Sequence, residues 1–147
     1  MKLSIREYVS DICKNLRIKA PTIVYSSNLQ TATPMAQYDL DNNQLVIPHT
    51  TDLSHDHLFA IAHELRHAWQ KQDDPEWFFA NYKPSTELDN ESYNLQFAEI
   101  DANAYAAIVM ENIFHLSPQW NNLTDRVIFE IERRMDQIIS HGNILGD

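Results

Sequence analysis

The chain has 147 residues, 44% of them hydrophobic and 22% charged, which fits one globular domain with a buried core and excludes a disordered tract. Its formal net charge is −10 and its eleven basic residues are scattered, which argues against nucleic acid or an anionic membrane surface as a partner. The two glycines, Gly142 and Gly146, stand at the far C-terminal end; this excludes a glycine-rich phosphate loop and argues against a barrel or sandwich, whose turns need glycine.

Residues 3–16 place Ile5, Tyr8, Val9, Ile12 and Leu16 on one stripe and predict an amphipathic first helix. Cys13 falls on that stripe. As the sole cysteine it forms no intrachain disulfide, and it reads as a small buried hydrophobe in a reducing compartment. The N-terminal segment interleaves charge with apolar residues and has no signal-peptide core, and no apolar run approaches membrane length, so the expected location is cytoplasmic.

Thr22-Ile23-Val24-Tyr25 after Pro21 predicts a strand. Met35 to Leu40 and Gln44 to Ile47, joined by the turn signal Asp41-Asn42-Asn43, predict a hairpin that stops at Pro48. Thr51, Asp52 and Ser54 are candidate caps for a helix over about 54–72. A polar stretch over 73–90, broken by Pro75 and Pro84, predicts a loop with a short helix around Trp77-Phe78-Phe79. A long helix follows from about Glu91 to Phe114, then a break at Ser117-Pro118, then a last helix from about Thr124 to Ser140. The expected class is α+β in a single domain over residues 1–147, with a small N-terminal sheet packed on the helix over 54–72 and helices after it.

That helix contains His63-Glu64-x-x-His67. Residues four apart stand one above the other on a helix, so both imidazoles reach one tetrahedral metal. Glu64, one step round, stands beside the metal, where it takes a proton from an attacking water. Leu58, Ile61, Ala62, Leu65, Ala68 and Trp69 form an apolar stripe roughly opposite the histidines, so one side packs on a sheet while the other presents the metal. The plain alternative is two solvated histidines on a polar face.

A catalytic zinc needs a third protein ligand. Asp73 lies six residues past His67, but Gln70 occupies the place where that short layout needs a glycine to turn the chain back. Glu99 and Asp101 are about 160° apart on the last-but-one helix, so only one of them faces the metal. Glu99 shares its face with Leu95, Ala102, Asn103, Ala106 and Met110. The two alanines let another helix approach, and a carboxylate on such a face is costly unless paired or metal-bound. Glu99 is therefore the favoured ligand. Asn103, one turn on, is placed to orient a ligating histidine, and Asp101 reads as a hydrogen bond to a neighbouring loop or helix end.

These motifs, His63-Glu-x-x-His67 and Glu99-x-x-Ala-Asn103-x-Tyr-Ala, resemble those of the gluzincin metallopeptidases, and more narrowly the small minigluzincin and ImmA/IrrE-type peptidases. The resemblance covers roughly residues 40–110. It implies a zincin-like fold whose cleft is lined by an edge strand, a place that Gln44 to Ile47 matches by order. It also implies one Zn2+ per chain held by His63, His67 and Glu99, with Asn103 behind a histidine and Glu64 as the catalytic residue. The helix-turn-helix of some relatives is lacking, so a repressor-cleaving role gains no support.

The expected reaction is peptide-bond hydrolysis in a peptide or protein substrate, with Glu64 carrying the proton from water to the leaving amine. Tyr38, Tyr93, Tyr105 and His115 are candidate oxyanion donors, each with packing as its simpler role. His49, His55 and His57 read as exposed loop histidines rather than a second metal site, and Trp69, Trp77 and Trp120 as core or rim aromatics. The competing function is an inactive, zinc-stabilised interaction module, against which stands the lack of a fourth good ligand. A peptide deformylase would need a ligating cysteine in its own motif, and Cys13 is not in one.

Overall fold

The computed structural model describes residues 4–26, 36–48 and 54–142. The N-terminal stripe forms α1 (Ile5–Leu16), begun by Ser4, whose hydroxyl accepts from the Glu7 backbone N–H, and ended by Arg17 at φ 58°. Its buried face is Tyr8, Val9, Ile12, Cys13 and Leu16, as their spacing predicts. Burial pushes the Cys13 thiol up to about 11.

Three strands follow: β1 (Thr22–Ser26), β2 (Gln37–Asp39) and β3 (Gln44–Pro48). β1 runs parallel to β3 with Val24 opposite Val46, and β2 runs antiparallel to β3 with Tyr38 opposite Leu45, giving the order β1-β3-β2. The hairpin turns where Asp41-Asn42-Asn43 predicts it. Asp39 Oδ1 accepts from the backbone N–H of Asp41 and of Asn42, and Asn43 takes φ 50° in place of a glycine. Met35, expected in the second strand, lies outside the described residues. The expectation that Gln44 to Ile47 is the edge strand is corrected: β1 and β2 pair with opposite sides of β3, which makes it central and leaves β1 and β2 as the two edges.

Ser54 caps α2 (His55–Asp73), accepting from the His57 N–H while the His57 ring accepts from the Ser54 N–H. Thr51 and Asp52, the other candidate caps, lie outside the described residues. Asp74 caps α3 (Pro75–Asn81), with proline at the first helical position, over the short helix expected around Trp77. The helix expected to run unbroken over 91–114 is two helices, α4 (Asn90–Leu95) and α5 (Phe97–Phe114), broken at Gln96 with ψ 140°. The Gln96 amide causes the break. Its Oε1 accepts from Lys83 N at 2.7 Å and its Nε2 donates to Lys83 O at 2.9 Å, tying the chain to the loop behind it. No proline or glycine marks this point in the sequence. Thr124 caps α6 (Asp125–Ser140), the last predicted helix.

α2 packs on the sheet through Ile61, Ala62 and Leu65, which share one core cluster with Leu45, Ile47, the α1 face, Tyr105, Ala106 and Val109. α5 is buried on every side from Ala98 to Met110 and is the central helix. Ile100 and Ala104 carry its other side against Val127 and Ile131 of α6. Ala102 and Ala106, both fully buried, allow the close approach of α2 that their size predicts. The described residues thus form a small three-stranded sheet and six helices, the expected α+β class. None of these helices is long and apolar enough to cross a membrane.

Candidate metal centre

One turn of α2 presents His63 and His67 to the first turn of α5, which carries Glu99. His63 Nε2 and His67 Nε2 are 3.2 Å apart, Glu99 Oε1 is 3.3 Å from His63 Nε2, and Glu99 Oε2 is 2.6 Å from His67 Nε2. His67 and Glu99 are 5% and 3% exposed, so the plain reading of solvated histidines fails.

The groups behind the rings determine their tautomers. Gln70 Nε2 donates to Ala98 O and to Asp101 Oδ2, which turns its Oε1 to His67 Nδ1 at 2.8 Å, so that ring donates from Nδ1. Asn103 Oδ1 lies 2.8 Å from His63 Nδ1, the orienting contact expected of it, and draws that proton in the same way. Both neutral rings therefore aim an Nε2 lone pair at the other ring and at a carboxylate. Glu99 Oε2 is sealed from solvent and, despite the nearness of His67, accepts no hydrogen bond; among the described residues it is the one buried side-chain polar atom in that position.

Only a proton or a cation relieves this convergence. Burial works against a proton on His67, but the charge of the Glu99 carboxylate overrides it, raising the ring's pKa to about 9. For Glu99 burial favours the neutral acid, and the charges of His63 and His67 outweigh it, holding the carboxyl well below the usual range. For a cation, the fit is closer. His63, His67 and Glu99 form the one group of such side chains among the described residues able to hold a metal ion, with ligand atoms within 4.8 Å of one another. Ligands about 2.0–2.1 Å from a tetrahedral zinc stand about 3.3 Å apart, close to the spacings of the imidazole pair and of His63 with Glu99.

Glu64 borders a hollow against Gln37, Tyr38, Asp39 and Val46, so its carboxyl faces the edge strand β2. Burial raises its pKa, against the opposing charges of His67 and His63, which moves it toward neutrality. On the other side His63 and Glu99 border a cleft of about 630 Å³, walled by Phe59, Met110, Leu116 and Trp120. The metal group is thus buried at its back and open in front.

The remaining expected residues fall elsewhere. Asp73 is exposed at the end of α2 and outside the metal group. Tyr105 donates to Asn15 Oδ1, Tyr38 donates to Asn43 Oδ1, and His115 is an exposed left-handed cap at φ 56°. Tyr93 shares a hydrogen bond with Tyr82, whose ring lies 5.5 Å from that of His67. His57 caps α2, His55 borders the front cleft, and His49 lies outside the described residues. The reading of Asp101 as a bond to a loop or helix end is corrected. It is fully buried and takes Arg66 at 2.7 and 3.0 Å and Arg134 at 2.8 Å, joining α2, α5 and α6. Two participants escaped the sequence reading. Gln70 had a signal, being one turn past His67 on the same face. Tyr82 had none, since only the folding of α3 back against α2 brings it to His67.

No protein-family model, curated protein or solved structure matches this chain.

Proposed function

We propose that the chain is a zinc-dependent peptidase of the minigluzincin and ImmA/IrrE type, acting on a peptide or a partner protein. The observation that carries this reading is the Glu99 carboxylate brought against two Nε2 lone pairs whose Nδ1 protons are drawn off by Gln70 and Asn103. Two imidazoles, one carboxylate and an open front are the donor set of a catalytic zinc rather than a structural one, which four protein ligands close. When bound, zinc supplies Lewis-acid activation of water and of a carbonyl.

The chain's own residues supply the rest. Glu64, its carboxyl raised by burial, takes the proton of the attacking water and delivers it to the amine as the peptide C–N bond breaks. Gln70 and Asn103 hold the two rings in the tautomer that turns Nε2 forward. The cleft beside His63 receives the substrate side chains and excludes water from them.

The test is cleavage of a peptide library by the native chain and by Glu64→Gln. The native chain is expected to cut, the variant to lose about a thousandfold in rate, and both to retain about one zinc. Cutting undiminished in Glu64→Gln would overturn the mechanism. A zinc-loaded native chain that cuts nothing would favour the zinc-stabilised interaction module.

A further inference from the structure

We propose that a hollow on the α2–α6 side of the protein is a binding site for a small oxyanion, a phosphate or a carboxylate. The hollow measures about 370 Å³ and is lined by Arg66, Trp69, Arg134, Gln137, Ile138 and His141. It shares no lining residue with the front cleft or with the hollow beside Glu64. Anion binding there does not depend on the peptidase reading.

Charge balance is the first argument. Arg66 and Arg134 both pair with Asp101, and among the described residues neither pairs with another carboxylate. Two guanidiniums against one carboxylate leave one positive charge, and Arg66 is only 7% exposed. The Arg134 side chain is 21% exposed, so the excess charge is only partly solvated and a counter-charge at the hollow stabilises it.

The unused donors are the second. Arg66 commits Nε and Nη2 to Asp101, while Arg134 commits Nε to Asp101 and Nη1 to Gln137 Oε1 at 3.1 Å. Arg66 Nη1 and Arg134 Nη2 have no acceptor among the described residues. Neither is sealed from solvent, since the one sealed side-chain atom without a partner there is Glu99 Oε2. They therefore open toward the hollow that their side chains line. The Arg66 plane is already fixed, with its Cζ 3.9 Å from the Trp69 ring centre and 4.8 Å from that of Tyr105, so little side-chain freedom is lost on binding.

The size of the ligand follows from the rest of the molecule. A net charge of −10 repels an extended polyanion, whereas a local excess of one positive charge holds a small anion at short range. Guanidinium forks fit the paired oxygens of a carboxylate or a phosphate.

The three tryptophans provide the readout. Trp69 lines this hollow, Trp120 lines the front cleft, and Trp77 lines neither. The 15N-labelled protein is titrated with sodium phosphate and separately with sodium acetate, against sodium chloride at matched ionic strength. The indole N–H signal of Trp69 is expected to move saturably, at millimolar concentration, with phosphate, acetate or both, and not with chloride. Which salt acts identifies the ligand class. Arg134→Gln is expected to weaken the effect about tenfold or more. Gln137→Glu keeps both arginines and places a carboxylate in the hollow, so it is expected to abolish the response while the other indole signals hold their folded positions. The site would be overturned by a Trp69 signal that neither oxyanion moves, by an equal response to chloride, by a response unchanged in folded Gln137→Glu, or by movement confined to Trp120.

Discussion

His67 shows how much of a candidate metal site rests on groups other than its three possible ligands. Its Nδ1 proton is held by Gln70, Gln70 is held by Ala98 O and Asp101, and Asp101 is held by two arginines. Gln70→Ala frees the ring to turn and to change tautomer, and is expected to weaken zinc binding by about 10- to 100-fold in chelator competition, with the fold kept. Asp101→Asn goes further, because it leaves two guanidiniums facing a neutral amide. A loss of about 3–5 kcal/mol in urea unfolding at neutral pH is expected. The pH dependence has a defined sign. Burial opposes the Asp101 charge, but Arg66 and Gln70 outweigh it, so the folded carboxyl has a lowered pKa. Its contribution is whole above the ordinary carboxyl range and drains away as pH falls toward the folded value. Urea midpoints below pH 5 are therefore expected to fall less steeply with acid in Asp101→Asn than in the native chain.

At the scale of the elements, the site is a meeting of two helices, and the spacing between them is set by small residues. Ala102→Leu adds bulk at a fully buried contact, costs about 1–3 kcal/mol, and moves Glu99 away from the imidazoles. Zinc affinity is expected to fall with stability, and in a folded variant chelator competition shows it directly; an unchanged affinity would mean that the α2–α5 approach does not place Glu99. What the sequence revealed at this scale follows periodicity. His63, Glu64 and His67 lie on one helix, and Glu99 and Asn103 on another, so helical geometry alone grouped each set. The hairpin was legible because Asp41-Asn42-Asn43 carries its own turn chemistry. The break at Gln96 was not, since it arises from a side-chain contact with Lys83 across the chain and not from a local helix breaker. The strand order was hidden for a related reason: that β1 pairs with β3, making β3 central, is a matter of long-range pairing that no local pattern carries. Asp101 was misjudged because Arg134, 33 residues away, has no periodic relation to it.

At the scale of the whole molecule, a metal held by His63, His67 and Glu99 in the folded chain alone would stabilise all of it, because these side chains come from α2 and α5, the two helices at the centre of the core. At free zinc about a thousandfold above its Kd the gain is about 4 kcal/mol. Chelation is accordingly expected to lower the melting temperature of the native chain by several degrees and that of Glu99→Ala hardly at all. The core also protects its thiol: with its pKa raised to about 11, Cys13 is expected to react with a disulfide reagent at pH 8 only when urea opens the fold.

The most direct measurement is an anomalous difference map at the zinc edge, from crystals of protein purified without chelator or added metal. One strong peak is expected, bonded to His63 Nε2, His67 Nε2 and a Glu99 carboxylate oxygen, with its remaining position open to the cleft beside Phe59 and Trp120. A peak at other side chains, or Glu99 turned away from a metal that the two histidines hold alone, would contradict it.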